Sequence, residues 1–93
     1  MDINSENRMA LPEVVAQIGG KPVIAGAKQL RKAIINGKTD CVYVAENADP
    51  AITEPIIALC KHKSISYAWV PSMADLGQAC GIDVGAAATA TVC

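Results

Sequence analysis

The segment Gly26-Ala27-Lys28-Gln29-Leu30-Arg31-Lys32 concentrates more usable chemistry than any other part of the chain. If a helix opens here, its first turn presents unpaired N–H groups and a partial positive charge, a receptor for phosphate oxygens. Gly26 lets a ligand backbone come close, Lys28 can donate to guanine O6 and N7, and Gln29 can make paired hydrogen bonds to a base edge. Lys32 lies one turn beyond Lys28, with Arg31 beside it. Base readout and phosphate neutralisation would then share one short segment. The same residues also describe an ordinary solvated helix, and the segment alone does not choose between the two.

Catalysis finds less to hold. His62 is the only histidine, no Ser or Cys nucleophile is fixed beside it, and it reads as a solvent-facing residue at a helix end. Gly19-Gly20-Lys21-Pro22 lacks both the Walker spacing and the strand-then-helix context of a phosphate loop. Turn and cap roles explain Asp49 and Asp83 more simply than acid–base work does. The four cysteines, Cys41, Cys60, Cys80 and Cys93, show no CxxC spacing, and three lie in apolar runs. They read as core fillers; Cys60 with His62 falls short of a zinc site. The expectation is a protein without enzymatic activity, cofactor or metal.

Elements that could position the Lys28 segment must come from one domain, since 93 residues hold only one. The composition is 52% hydrophobic, mostly Ala, Val and Ile, with no Phe, two Tyr and one Trp, so the core is built from small and β-branched side chains. Single-strand binders of the RRM or OB type need stacking aromatics that this chain lacks. The net charge of −1 gives no general attraction for nucleic acid. Its distribution does: Lys21, Lys28, Arg31, Lys32 and Lys38 fall in a stretch with no Asp or Glu between Glu13 and Asp40. Asp2, Glu6 and Arg8 stand where an export signal would need an apolar run, and Val84 to Cys93 is too short for a membrane span. The reading is a soluble, reduced, cytoplasmic protein.

Residues 1–10 are polar and aperiodic, predicting a flexible tail ahead of a single domain over 11–93. Leu11, Val14, Val15 and Ile18 form a helical stripe with Pro12 in its first turn and Gly19-Gly20 as its stop. A brief strand over Pro22 to Ala25 leads into a helix from Ala27 to Asn36, closed by Gly37. Ala27, Leu30, Ala33 and Ile34 share its inner side, and Ile35 breaks the pattern. Cys41 to Ala45 is nearly all apolar, as in a central strand buried on both faces. After the turn from Glu46 to Pro50 comes a helix reaching about His62, with Pro55 expected in its first turn because an interior proline loses a hydrogen bond. Ile65 to Val70 is the next strand. Ser72 caps a helix ending at Gly81, and a last strand runs from Thr89, or from as early as Ala86, to Val92. Strands alternating with short helices predict a three-layer α/β/α sandwich around a mixed four-stranded sheet.

The stretches VIAGAKQLRKAIINGKTDCVYVAENADP and CKHKSISYAWVPSMADLGQACGIDVGAAATA resemble the L-seven-Ae family of ribosomal and kink-turn-binding proteins, in particular its short bacterial members. The resemblance covers residues 21–92 and rests on four runs in order: G-x-K-Q-x-x-K, A-E-x-A-D-P, V-P-S-x-x-x-L-G-x-A-C-G and G-I-D-V-G-A-A. It implies a protein that binds the kink-turn, an RNA duplex bent sharply at a bulge beside tandem sheared G·A pairs. Carried over, Gly26, Lys28, Gln29 and Lys32 become the groove-reading set, with Arg31 beside them. Ile82, Asp83, Val84, Gly85 and Ala86 become the loop covering bases turned out of the bulge. RNA is generally read through such distorted shapes, because the A-form major groove is too narrow for side chains. Lys28-Gln29 replace the Asn-Glu pair of archaeal members, and Asp83 brings a negative charge into the loop.

The implied partner is a structured RNA, whether ribosomal RNA, a riboswitch or a small RNA, bound by a monomer. A different class of reading is a protein-docking module on the same scaffold, and a third is a redox or metal protein. Within the first, a β-branched residue at Gly85 is expected to hinder RNA approach and leave the melting temperature nearly unchanged, provided the backbone angles there tolerate a side chain; a large fall would show a conformational role.

Overall fold

A computed structural model describes residues 7–82 and 84–92. In chain order the elements are β1 (Asn7–Arg8), α1 (Leu11–Ile18), β2 (Val23–Ile24), α2 (Ala27–Ile35), β3 (Thr39–Ala45), α3 (Pro50–Lys63), β4 (Tyr67–Val70), α4 (Met73–Ala79) and β5 (Ala88–Val92). The local signals act as the sequence suggests. Ala10 donates its N–H to the Glu13 carboxylate at 2.9 Å, opening α1, and Gly19 ends it in the left-handed region at φ 49°. In α2, Leu30, Ala33 and Ile34 are buried, and Gly37 follows at φ 68°. The Ser72 hydroxyl accepts from the Asp75 N–H at 3.1 Å and caps α4.

Pro55 departs from expectation, because it lies inside α3 rather than at its start. Two start signals compete here. Asp49 accepts the Ala51 N–H at 2.9 Å, and Pro50 stands at the first helical position, so the helix begins there. The donor missing at Pro55 would have served the Ala51 carbonyl, and both residues are exposed, which leaves water to replace it.

The sheet order is β1-β4-β3-β5-β2. β3 and β4 are parallel, β1 joins β4 in parallel, and β5 runs antiparallel to both β3 and β2. The four expected strands are all present, with β3 at the centre, and β1 adds a fifth at the β4 edge. Part of the presumed tail is therefore structured: Asn7 and Arg8 pair with Ala68 and Trp69, and Met9 donates to the Trp69 carbonyl at 2.8 Å. Arg8 also reaches Glu46, Nε to Oε2 at 3.2 Å. Residues 1–6 lie outside the described part.

The period-two alternation of β3 divides the core. Val42 and Val44 face a layer containing Leu30, Ile34, Ile56 and Cys60, from α2 and α3. Tyr43 and Ala45 face Val14, Ile18 and Leu76, from α1 and α4. The architecture is a three-layer α/β/α sandwich. Among the described residues no helix is long and apolar enough to cross a membrane.

Because β1, β2, β3 and β4 all point one way and each is followed by a helix, all four helices begin at the same end of the sheet. β5, running against them, begins there too, so the loop preceding it emerges at that end.

Candidate nucleic-acid interface

That common end brings the two predicted segments together. Ile24 of β2 pairs with Ala90 of β5, so Gly26, two residues beyond Ile24, and Ala88, two before Ala90, leave the sheet side by side. Lys28 stands on the first turn of α2, and Val84 lies four residues ahead of β5. The cationic helix start and the apolar loop occupy one end of the molecule.

The four helix starts differ in charge. α1 has Glu13 in its first turn, α3 is capped by Asp49, and α4 by Ser72 with Asp75 following. Among the described residues, only α2 has neither an acidic first turn nor a side-chain cap, since its N-cap is Gly26. Its early N–H groups remain available to an outside anion. A β-carbon on Gly26 would meet nothing nearer than Gln29 Cγ at 3.8 Å, an ordinary contact, so the fold itself does not demand glycine here.

Lys28, Gln29, Arg31 and Lys32 are all exposed and, with Ile35, line a shallow depression of about 470 Å³ on the outer flank of α2. Ile35, 54% exposed, joins this set although it breaks the apolar pattern of α2. The available signal was its spacing, seven residues from Lys28 and four from Arg31, which puts it on the same stripe. The cationic stretch from Lys21 to Lys38, by contrast, does not stay together. Lys21 precedes β2 and Lys38 precedes β3, at the opposite end of the sheet, where Lys21 lies 3.9 Å from Asp40.

The loop divides by burial. Val84 is 71% exposed, whereas Ala86 is 5% exposed within the α1/α4 core and Ile82 packs against that core half-buried. Ile82 and Ala86, expected at the RNA surface, thus anchor the loop, because their apolar side chains gain more from the adjoining core than from solvent. Gly85 is exposed, yet a β-carbon on it would sit 3.1 Å from Met73 Cβ and 3.3 Å from Met73 backbone atoms. A side chain there is accommodated only as far as Met73 gives way by a few tenths of an ångström, so the stability of a Gly85 variant is set by how far Met73 can move. Asp83 lies outside the described residues.

His62 is exposed in the last turn of α3, as expected. Burial pushes the Cys60 thiol up to about 11 and raises that of Cys41 as well. Among the described residues no group of three His, Cys, Asp or Glu side chains converges to hold a metal.

The model of the ribosomal protein L7Ae/L30e/S12e/Gadd45 family matches residues 9–93. The chain belongs to this family. Individual proteins are also similar in sequence: a Bacillus pumilus protein named RNA-binding protein is 44% identical over 68 residues, 73% of this chain and 83% of its own length. One of the same name from Geobacillus thermodenitrificans is 42% identical over 78 residues, 84% of this chain and 93% of its own. Among solved structures, the Giardia lamblia 15.5kD RNA binding protein superposes with a TM-score of 0.77 at 26% identity, covering 89% of this chain and 70% of that one. The family match begins at residue 9, so β1 stands outside it.

Proposed function

We propose that this protein binds RNA, and within RNA the kink-turn, stabilising its bent form without catalysis and acting as a cytoplasmic monomer. The observation that carries the reading is the pairing, at one end of the sheet, of an uncapped cationic helix start with an exposed apolar residue on an adjoining loop. A straight duplex offers regular phosphates to the first but no splayed base to the second. A bulged, bent duplex offers both.

Lys28 and Gln29 are suited to base edges at the sheared pairs, Lys32 and Arg31 to phosphates, and Val84 to the face of an extruded base. Gly26 keeps the entrance clear for the RNA backbone. The names carried by relatives more than 40% identical support RNA as the partner class. Selective affinity for the bent state shifts the RNA population toward it by the difference in binding free energy.

The test is a gel shift comparing a duplex that carries the bulge and tandem G·A pairs with a straight duplex of equal length and charge. Preferential binding of the bulged duplex supports the reading. Equal or absent binding favours a protein-docking module on the same scaffold.

A further inference from the structure

The loop that carries Val84 is fastened to α4 at two points. Ala86 donates its N–H to the Met73 carbonyl at 3.0 Å, and Ile82 donates to the Gly77 carbonyl at 3.0 Å. The Ile82 side of the loop is thus tied to the last turn of α4, and the Ala86 side to its first.

That turn is held in turn by a distant residue. The Met73 N–H has no partner within its own helix, as for any first-turn donor. It donates to Asn47 Oδ1 at 2.8 Å, across 26 positions of sequence. Asn47 lies in the turn between β3 and α3, and its neighbour Glu46 is fixed to the sheet by donating its own N–H to the Val70 carbonyl at 2.8 Å. A continuous set of bonds therefore runs from the central strand through Asn47 and Met73 to Ala86.

We propose that Asn47 is a positioning residue of the nucleic-acid interface: by holding Met73 it fixes the carbonyl that anchors Ala86 and so sets where Val84 meets the RNA. The proposal rests on the reading that Val84 and the start of α2 engage one RNA. An amide oxygen suits the position, because it accepts the bond without placing a carboxylate beside incoming phosphates. Asn47 is exposed, so its side chain contributes little to the core while the loop depends on it.

The test is Asn47→Ala, measured alongside Lys28→Ala, with the bulged duplex as probe. Loss of one exposed hydrogen bond predicts about a three- to tenfold drop in affinity. The salt dependence should stay as in the wild type, since no phosphate contact is removed. The Ala86 amide should exchange faster with solvent, while the Leu30 amide in α2 keeps its rate. In a Val84→Ala background the drop should largely vanish, the coupling expected if both residues act through one contact. Asn47→Asp retains an acceptor and should restore slow exchange at Ala86. Wild-type affinity in Asn47→Ala, unchanged exchange at Ala86, or an undiminished loss in the Val84→Ala background would overturn the proposal. Wild-type affinity in Lys28→Ala would instead count against the binding reading itself, and the exchange measurement would still decide the role of Asn47.

Discussion

Gly77 and Val84 are in such close contact that a β-carbon on Gly77 would collide with the Val84 carbonyl oxygen and crowd the Gly85 Cα at 3.2 Å. The loop at the candidate interface is therefore seated on a helix that has given up a side chain to receive it. Glycine inside a helix costs about 1 kcal/mol relative to alanine. Here that cost is offset by the close approach of the two backbones.

Gly77→Ala should reverse the usual gain from replacing a helical glycine. The new methyl must displace the loop backbone, which predicts a net destabilisation of about 1–3 kcal/mol. Urea denaturation checks it. A stability equal to the wild type or higher would show that the loop moves aside freely, and RNA affinity should fall together with stability. Gly85→Val, whose branched side chain presses on Met73, should also lower the melting temperature.

Gly26→Ser separates stability from binding. A serine at this N-cap can accept one of the N–H groups that α2 leaves uncapped, adding a few tenths of a kcal/mol of stability over glycine. The same hydroxyl would occupy the approach to the helix start. The expected outcome is a slightly higher melting temperature with weaker binding of the bulged duplex. Unchanged or tighter binding would remove Gly26 from the interface.

Cys60 predicts a loss of stability at alkaline pH. Burial raises its thiol from an ordinary value near 9 to about 11, so the folded state binds a proton that the unfolded chain has released. Stability from this group is complete below pH 9 and is lost as pH rises from 9 to 11, amounting to at most about 2–3 kcal/mol for a shift of this size. The buried Tyr43 hydroxyl, also raised by desolvation, acts in the same direction at higher pH. Denaturation curves between pH 8 and about 11 should show the decline in the wild type and a smaller one in Cys60→Val, which keeps an apolar side chain in the site.

Much of the architecture was legible because local signals agreed with one another. The stripe of Leu30, Ala33 and Ile34 with Gly37 behind it marked α2, and the all-apolar run ending at Ala45 marked the central strand. Pro55 misled because the Asp49-Pro50 start signal outweighed it. β1 was invisible for a different reason: Asn7 and Arg8 have no strand pattern of their own and become a strand only because the β4 edge supplies partners. The candidate interface was legible in its cationic half, where Lys28 and Lys32 share a face. The loop was less so, since burial of Ile82 and Ala86 and exposure of Val84 depend on how α4 lies beneath them. No spacing in the sequence announces that Asn47 caps Met73.

Arg8 offers a bounded test of β1. Its pair with Glu46 is exposed at the surface, and such pairs contribute about 0–1 kcal/mol. Arg8→Ala should leave the melting temperature within a few degrees of the wild type in moderate salt. A drop of more than about 10 °C would correspond to more than 1 kcal/mol in a domain of this size and would mean that β1 is integral to the fold.

The central claim, that the start of α2 reads the RNA, is tested most directly by titrating the bulged duplex with Lys28→Ala and Lys38→Ala at one fixed salt concentration. Lys28 stands at the shared end of the sheet and Lys38 at the other, yet the two substitutions remove the same charge. A loss of about 1–3 kcal/mol for Lys28→Ala, with little change for Lys38→Ala, is the predicted result. Equal losses would leave only general charge attraction and contradict the account.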